Sequence, residues 1–203
     1  MKSFCLFCAN YLPNLGGVER YVNNLAKQLI KMGHRVTVVT SNVFDLPGYE
    51  TDENGIEIFR MPCYNIMKGR YPILKKNDRF KMLDKQLASK HFDLAVINAR
   101  FYIHSVYAAE FAYKNNIPMI TIEHGSSHLS VNNKVLDWFG SIYEHALTAI
   151  LKKYCKDYYG VSQAACDWSG HFAIKSKGTL YNAIDIENIK SLENEKVCSY
   201  REE

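Results

Sequence analysis

The sequence predicts an α/β fold: one parallel sheet with helices on both faces. Three observations predict it. Short apolar and β-branched runs recur along the chain, among them Val36-Thr-Val-Val-Thr40, Leu94-Ala-Val-Ile97 and Met119-Ile-Thr-Ile122. Such runs are the right length for strands buried on both faces. Between them lie stretches with apolar residues at helical spacing, and this alternation builds βαβ units and a parallel sheet. The 203 residues, 47% hydrophobic and 23% charged, are enough for one substantial core.

Taken in order, Ser3 to Ala9 reads as the first strand. Lys2 followed by this short apolar run has the outline of a signal peptide. The run breaks at Asn10 and lacks a small-residue cleavage site, so a strand is expected instead. Next comes Tyr11-Leu-Pro-Asn-Leu-Gly16-Gly17-Val-Glu19-Arg20-Tyr21, a glycine turn opening a helix from about Val18 to Met32. In that helix Val18, Tyr21, Val22, Leu25, Leu29 and Ile30 share one face, and Gly33 suits its left-handed C-cap. Val36 to Thr40 is a strand; a polar excursion from Asn42 to Gly55 leads to another, Ile56 to Met61. An irregular segment follows, then a helix from Asp78 to Ser89. Leu94 to Ile97 is strand, Ile103 to Lys114 helix, Met119 to Ile122 strand and Val135 to Tyr154 a long helix. Tyr158 to Val161 is a short strand, Gln163 to Phe172 a helix and Thr179 to Tyr181 a last short strand. One domain is expected over residues 1–184, with a polar connector or a truncated end over 185–203.

Composition excludes several classes of function. A formal charge of +4 is too small to argue for nucleic acid. No run approaches the roughly 18 to 20 apolar residues of a membrane span. The six cysteines hold one C-x-x-C, Cys5 and Cys8, within a predicted strand. Residues three apart on a strand point to opposite faces, so their thiols diverge and free thiols in a reducing compartment are expected. No metal site is expected: His124 and His128 have a ligand spacing only on a helix, and Gly125-Ser-Ser argues for a loop.

Ligands of open parallel sheets bind beyond the carboxyl ends of the strands, so chemistry is sought where strands exit. Gly16-Gly17 leaves the first helical N–H groups uncovered, a geometry that suits a phosphate. Glu123-His124-Gly125-Ser126-Ser127-His128 is the most polar exit; Ser162 follows another strand, and Asn182-Ala-Ile-Asp185 follows the last. Glu19 either contacts ligand, as does Arg20, or complements the helix dipole.

Gly16-Gly-Val-Glu-Arg20, Gly33-His-Arg-Val-Thr-Val-Val-Thr40, Glu123-His124-Gly125, Tyr159-Gly-Val-Ser162 and Tyr181-Asn-Ala-Ile-Asp185 together resemble the N-terminal half of family 4 glycosyltransferases. The resemblance covers nearly the whole chain. It implies two Rossmann-like halves facing across a cleft, the GT-B arrangement. It also implies transfer of a hexose from a UDP- or GDP-linked sugar to a lipid-linked or saccharide acceptor, usually with retention and without a metal or other cofactor. The setting it implies is cell-surface polysaccharide or glycolipid synthesis. By the same resemblance, Gly16, Gly17 and Asn182 lie against the donor, and His124 reaches the reacting sugar. There it would donate a hydrogen bond to a hydroxyl and help stabilise an oxocarbenium-like transition state. Asp185 belongs to the interdomain crossover. Two departures stand out: Ala183 occupies a usual glycine position, and Asn98-Ala-Arg100 replaces histidines at a strand exit. No catalytic role is assigned to His104. Glu123, Arg100, His128 and Ser162 are retained as acceptor-side candidates.

Lys68, Arg70, Lys75, Lys76, Arg79, Lys81, Lys85 and Lys90, interleaved with Tyr71, Ile73, Leu74, Phe80, Met82 and Leu87, make the chain's clearest basic block. It reads either as a surface for anionic lipid, with Lys75, Lys76 and Arg79 foremost, or as a solvated helix with ordinary core contacts. The expected location is the cytoplasm, peripheral on the inner face of the plasma membrane if the lipid reading holds. Two nucleotide-sugar half-domains need about 350 residues. The family's donor half carries Glu-x7-Glu, and the Glu187–Glu195 and Glu195–Glu203 spacings are taken as chance in a Glu-rich tail. The donor half is therefore expected from elsewhere, in cis or in trans. The competing readings are a catalytically silent membrane- or partner-docking module and a nucleotide-sugar epimerase of similar fold.

Overall fold

The computed structural model describes residues 1–66, 69–128 and 133–182. Nine strands and five helices alternate as β1 Ser3–Cys8, α1 Gly17–Lys31, β2 Arg35–Ser41, β3 Tyr49–Thr51, β4 Glu57–Met61, β5 Cys63–Ile66, β6 Tyr71–Leu74, α2 Asp78–Ala88, β7 Leu94–Asn98, α3 Ile103–Lys114, β8 Met119–Glu123, α4 Lys134–Tyr154, β9 Tyr158–Gly160 and α5 Gln163–Gly170. Seven strands form one sheet in the order β3-β4-β2-β1-β7-β8-β9, and β5 and β6 form a separate antiparallel hairpin. Every pairing in the large sheet is parallel except β3 with β4 at its edge.

Side chains of successive strand residues go to opposite faces, and the two cores follow from that alternation. Cys5 and Phe7 of β1, Ala95 and Ile97 of β7, and Phe59 and Met61 of β4 join α2 and α3 in one core. Leu6, Cys8, Val38, Ile58 and Val96 join Val22 and Ala26 of α1 in the other. The two thiols of the C-x-x-C thus lie in different cores. The apolar face predicted for the first helix is the face in use, with Val18, Tyr21, Leu25, Leu29 and Ile30 packed against the second core. Gly33, at φ +79°, ends that helix as a left-handed cap. Its N–H reaches Ile30 O at 2.9 Å and the His34 N–H reaches Leu29 O at 3.0 Å.

Three expectations are corrected. The irregular stretch before α2 contains the β5–β6 hairpin, and the polar excursion contains β3. All three strands are only three or four residues long, too short for period-two alternation to mark them. The last predicted strand reduces to one bridge, Gly160 with Thr179. The connector expected over 185–203, with Asp185, Glu187, Glu195 and Glu203, lies outside the described residues, as do Lys68 and Ala183.

The strand order reverses at β1: its sequence neighbour β2 lies on one side and β7 on the other. The crevice beyond the carboxyl ends of β1 and β7 is where an open parallel sheet of this kind binds ligand.

Candidate functional site

Around that switch point the loop after β1 brings Asn10, Asn14 and the start of α1 together with the loop after β2 and the β5–β6 turn. They enclose a cavity of about 310 Å³ lined by Asn10, Asn14, Glu19, Val43, Phe44, Asn65, Gly69, Arg70 and Tyr102. Three side-chain amides, one carboxylate and one guanidinium make it a hydrogen-bonding site. Asn10 Nδ2 donates to Gly69 O at 3.2 Å, while its buried Oδ1 has no protein partner. Asn14 Nδ2 donates to Glu19 Oε1 at 3.0 Å. The Glu19 carboxylate folds back over Gly16 so closely that a Cβ there would displace its Oε2, so the glycine lets Glu19 keep this position. Nothing lies within 4 Å of where a Cβ at Gly17 would sit, so that backbone remains approachable. Arg20 is exposed.

On the other flank of α1, Tyr21 meets the His124 ring edge-on at 4.9 Å between centroids. His124 follows β8, and its Nε2 lies 3.0 Å from Asn98 Oδ1 at the end of β7. Asn98 Nδ2 donates to Phe7 O at 3.0 Å, so its Oδ1 faces the histidine as an acceptor. Nε2 of His124 therefore carries the proton and Nδ1 is left as a lone pair. Burial pushes the His124 pKa down to about 4, so the ring is neutral near pH 7. The ring thus offers Nδ1 as an acceptor, where the resemblance implied a donor.

Beneath His124 lies a charged cluster. Glu123 Oε1 accepts from the backbone N–H groups of His124 and Gly125 at 3.0 and 2.9 Å, which fixes the loop. Its Oε2 lies 3.2 Å from Arg100 Nη1, and Arg100 Nη2 lies 3.5 Å from Glu144 Oε2 on α4. Arg100 is 1% exposed, and its guanidinium carbon sits 3.7 Å from the centroid of the Phe172 ring. Burial lowers the arginine pKa and raises that of Glu123, and each charge partly opposes the shift of the other. Ala99, at φ +63°, turns the chain so that Arg100 points inward; a non-glycine residue in that region stores strain.

The remaining candidates are scattered. Ser162 caps α5, accepting from Ala165 N at 3.2 Å. Asn182 is exposed. His104 is fully buried among Phe7 and Tyr107, with neither ring nitrogen bonded and its pKa lowered to about 3 by burial. His128 Nδ1 is 2.9 Å from Glu144 Oε2. Lys75, Lys76 and Arg79 are exposed, but Leu74, Phe80 and Leu87, expected among the lipid-facing residues, are in the core. Sequence reasoning missed Asn10, Asn14, Asn98, Glu144 and Tyr21. Asn98 could have been found as a polar residue ending an apolar strand at the switch point.

The Glycosyltransferase Family 4 model matches residues 15–188, most of the chain. The chain belongs to glycosyltransferase family 4. Among curated relatives, an uncharacterised glycosyltransferase of Methanocaldococcus jannaschii is 22% identical over 198 residues, covering 94% of this chain and 50% of that protein. The phosphatidylinositol N-acetylglucosaminyltransferase GPI3 subunit of Saccharomyces cerevisiae is 24% identical over 162 residues, 75% of this chain and 33% of that one. Among solved structures, Anabaena HepE in complex with UDP and glucose superposes with a TM-score of 0.59 at 13% identity, covering 92% of this chain and 46% of that one. Sucrose-phosphate synthase of Thermosynechococcus elongatus gives 0.60 at 12% identity, with 89% and 47% covered. These likenesses show the α/β fold of one half of the GT-B arrangement. The family 4 chain thus spans half or less of the length of these relatives.

Proposed function

We propose that this chain is the acceptor-side half of a family 4 glycosyltransferase. It would move a hexose from a UDP- or GDP-linked sugar to a lipid-linked or saccharide acceptor in cell-surface polysaccharide or glycolipid synthesis. The observation that carries the reading is His124: a neutral imidazole at a strand exit, its proton committed to Asn98 and its other nitrogen open. A group of this kind orients a sugar hydroxyl without supplying charge. The amide-rich cavity around Glu19 and Asn10 suits a polyol acceptor, and Phe44, half-exposed at its lining, offers a face on which a sugar ring stacks. Glu19 is positioned to accept from acceptor hydroxyls, and the uncovered backbone at Gly17 is where the donor's phosphates or sugar would approach.

An acceptor at a membrane surface is favoured by one further observation. Leu136, Trp138, Phe139 and Ile142, near the start of α4, are exposed. The hairpin that leads to Lys75 and Lys76 adjoins the same helix, with Tyr71 and Tyr143 at 6.3 Å between ring centroids. Aromatic and basic side chains together suit an anionic interface. Among the described residues no helix is long and apolar enough to cross a membrane. On this reading the protein acts at the cytoplasmic face, with the donor half supplied in cis or in trans.

The test is sugar transfer. The chain, joined to or mixed with its donor-binding half, is incubated with labelled UDP- and GDP-hexoses and with lipid or saccharide acceptors. Transfer that falls in His124→Ala supports the proposal. Donor epimerisation without acceptor overturns it in favour of an isomerase, and binding without turnover favours a docking module.

A further inference from the structure

On the far side of Glu144 three histidines from three different elements converge: His128 from the loop after β8, His145 from α4 and His171 from the end of α5. One ring nitrogen from each lies within 4.8 Å of the others. We propose that His128, His145 and His171 form a binding site for a divalent transition metal of the zinc type. Such a site would pin the loop that carries His124 to α4 and α5.

The geometry fits that chemistry. His145 Nε2 and His171 Nε2 lie 3.2 Å apart. Two nitrogens bound at about 2.0–2.1 Å to a tetrahedral zinc are about 3.3–3.4 Å apart, so this pair is already spaced as ligands. His128 is oriented as metal-ligating histidines usually are, with one ring nitrogen against a carboxylate and the other turned away from it. Its Nδ1 is 2.9 Å from Glu144 Oε2, and its Nε2 faces the Ser141 hydroxyl at 3.2 Å, a weak partner that a metal would replace. His145 and His171 are exposed, so an ion has a route in and a fourth position for water. Trp168 stacks on His171 at 4.8 Å and 5°, and Phe172 packs edge-on to it at 4.9 Å, which holds the ring in place.

The charge nearby also suits a dication. Glu144 Oε2, 3.5 Å from Arg100 Nη2, also faces His128 at 2.9 Å, so a carboxylate oxygen lies one hydrogen bond from the proposed ligands. Two neutral rings sharing one hydrogen bond would explain the His145–His171 contact alone. They would not explain why a third histidine, oriented by a carboxylate, completes the triangle.

Chelator-treated, tag-free chain is titrated with Co²⁺ and Zn²⁺. We expect one equivalent of Co²⁺ with the visible absorption of a tetrahedral site, displacement by Zn²⁺ and a rise in melting temperature. In a Trp138→Phe background, where Trp168 is the remaining tryptophan of two, Co²⁺ should quench the fluorescence. His145→Gln and His171→Gln should each weaken binding by at least about tenfold, whereas His91→Gln leaves it unchanged. Both substitutions fall on exposed residues, so the variants should fold, which their melting curves verify. No saturable uptake at micromolar metal overturns the proposal. So does one-equivalent binding that survives in the double variant, or bound Co²⁺ that leaves Trp168 unquenched.

Discussion

Replacing Arg100 by methionine tests the buried charge cluster most directly. In the native protein the guanidinium lies 3.2 Å from a Glu123 oxygen and 3.5 Å from a Glu144 oxygen. At an effective dielectric near 20, each contact represents about 5 kcal/mol of Coulomb attraction. Desolvation of three buried ions costs several kcal/mol apiece and cancels most of it. Removing the arginine recovers its own desolvation cost but not that of the two carboxylates, which stay buried without their cation, and the expected penalty is about 3–5 kcal/mol. For a chain of this size that lowers the melting temperature by roughly 10 °C. The pH dependence has a defined sign. Burial already holds Glu123 above its ordinary 4.5, and loss of Arg100 raises it further. A carboxyl whose folded pKa exceeds its unfolded one contributes stability below the unfolded value, and that contribution disappears as pH rises through the folded value. The deficit of Arg100→Met should therefore be smallest below pH 4.5 and grow toward neutrality. Urea denaturation across that range measures it. The triple variant with Glu123→Gln and Glu144→Gln should regain much of the loss at pH 7. A single variant within about 1 kcal/mol of the native protein, or a triple no more stable than the single, refutes the argument.

Further outcomes follow from the same residues. His124→Ala should lower transfer efficiency by about tenfold to a hundredfold, the worth of one hydrogen bond in a dry site; an unchanged kcat/KM removes His124 from the chemistry. Asn98→Ala frees the ring to adopt the other tautomer, so it should reduce kcat more than it changes the far-ultraviolet circular dichroism. Gly16→Ala should raise the acceptor KM by displacing Glu19. Gly17→Ala, which meets nothing in the protein, should raise stability by up to about 1 kcal/mol and weaken donor binding alone. His104→Phe deletes an unpaired buried imidazole and should stabilise the fold by about 1–3 kcal/mol at pH 7. Because the His104 pKa is depressed from 6.5 to about 3, its stability contribution is present above pH 6.5 and lost as pH falls through 3. The advantage of the variant should accordingly widen in acid, and a parallel pH profile for the two proteins counts against this reading.

The sheet and its helices were legible because the strands are apolar and short and α1 shows a clear stripe from Val18 to Ile30. The hairpin was not, since Cys63–Ile66 buries little and Tyr71–Leu74, which buries Pro72 and Leu74, is only four residues long and carries a proline. At the candidate site, Gly16 and His124 stand out in the sequence by motif and position, as strand-exit residues do. What remained hidden was relational. Asn98 looked like a missing histidine and instead sets the tautomer of His124. Arg100 meets Glu144 and Phe172 across 44 and 72 positions, a proximity that no local pattern encodes. The expectation of no metal site rests on the His124–His128 spacing, which carries no information on His145 in α4 and His171 after α5, the two histidines that meet His128.

Among the described residues α1 is the only helix in the second core, so one element both presents Gly17, Glu19 and Tyr21 to the site and shields Leu6, Val38, Ile58 and Val96 from water. Any fluctuation that lifts this helix breaks the site and uncovers that side of the sheet in a single event. Amide exchange along β1 and β2, well away from the crevice, thus becomes a gauge of occupancy. A substrate that grips the first turn of α1 should slow exchange across strands it never touches.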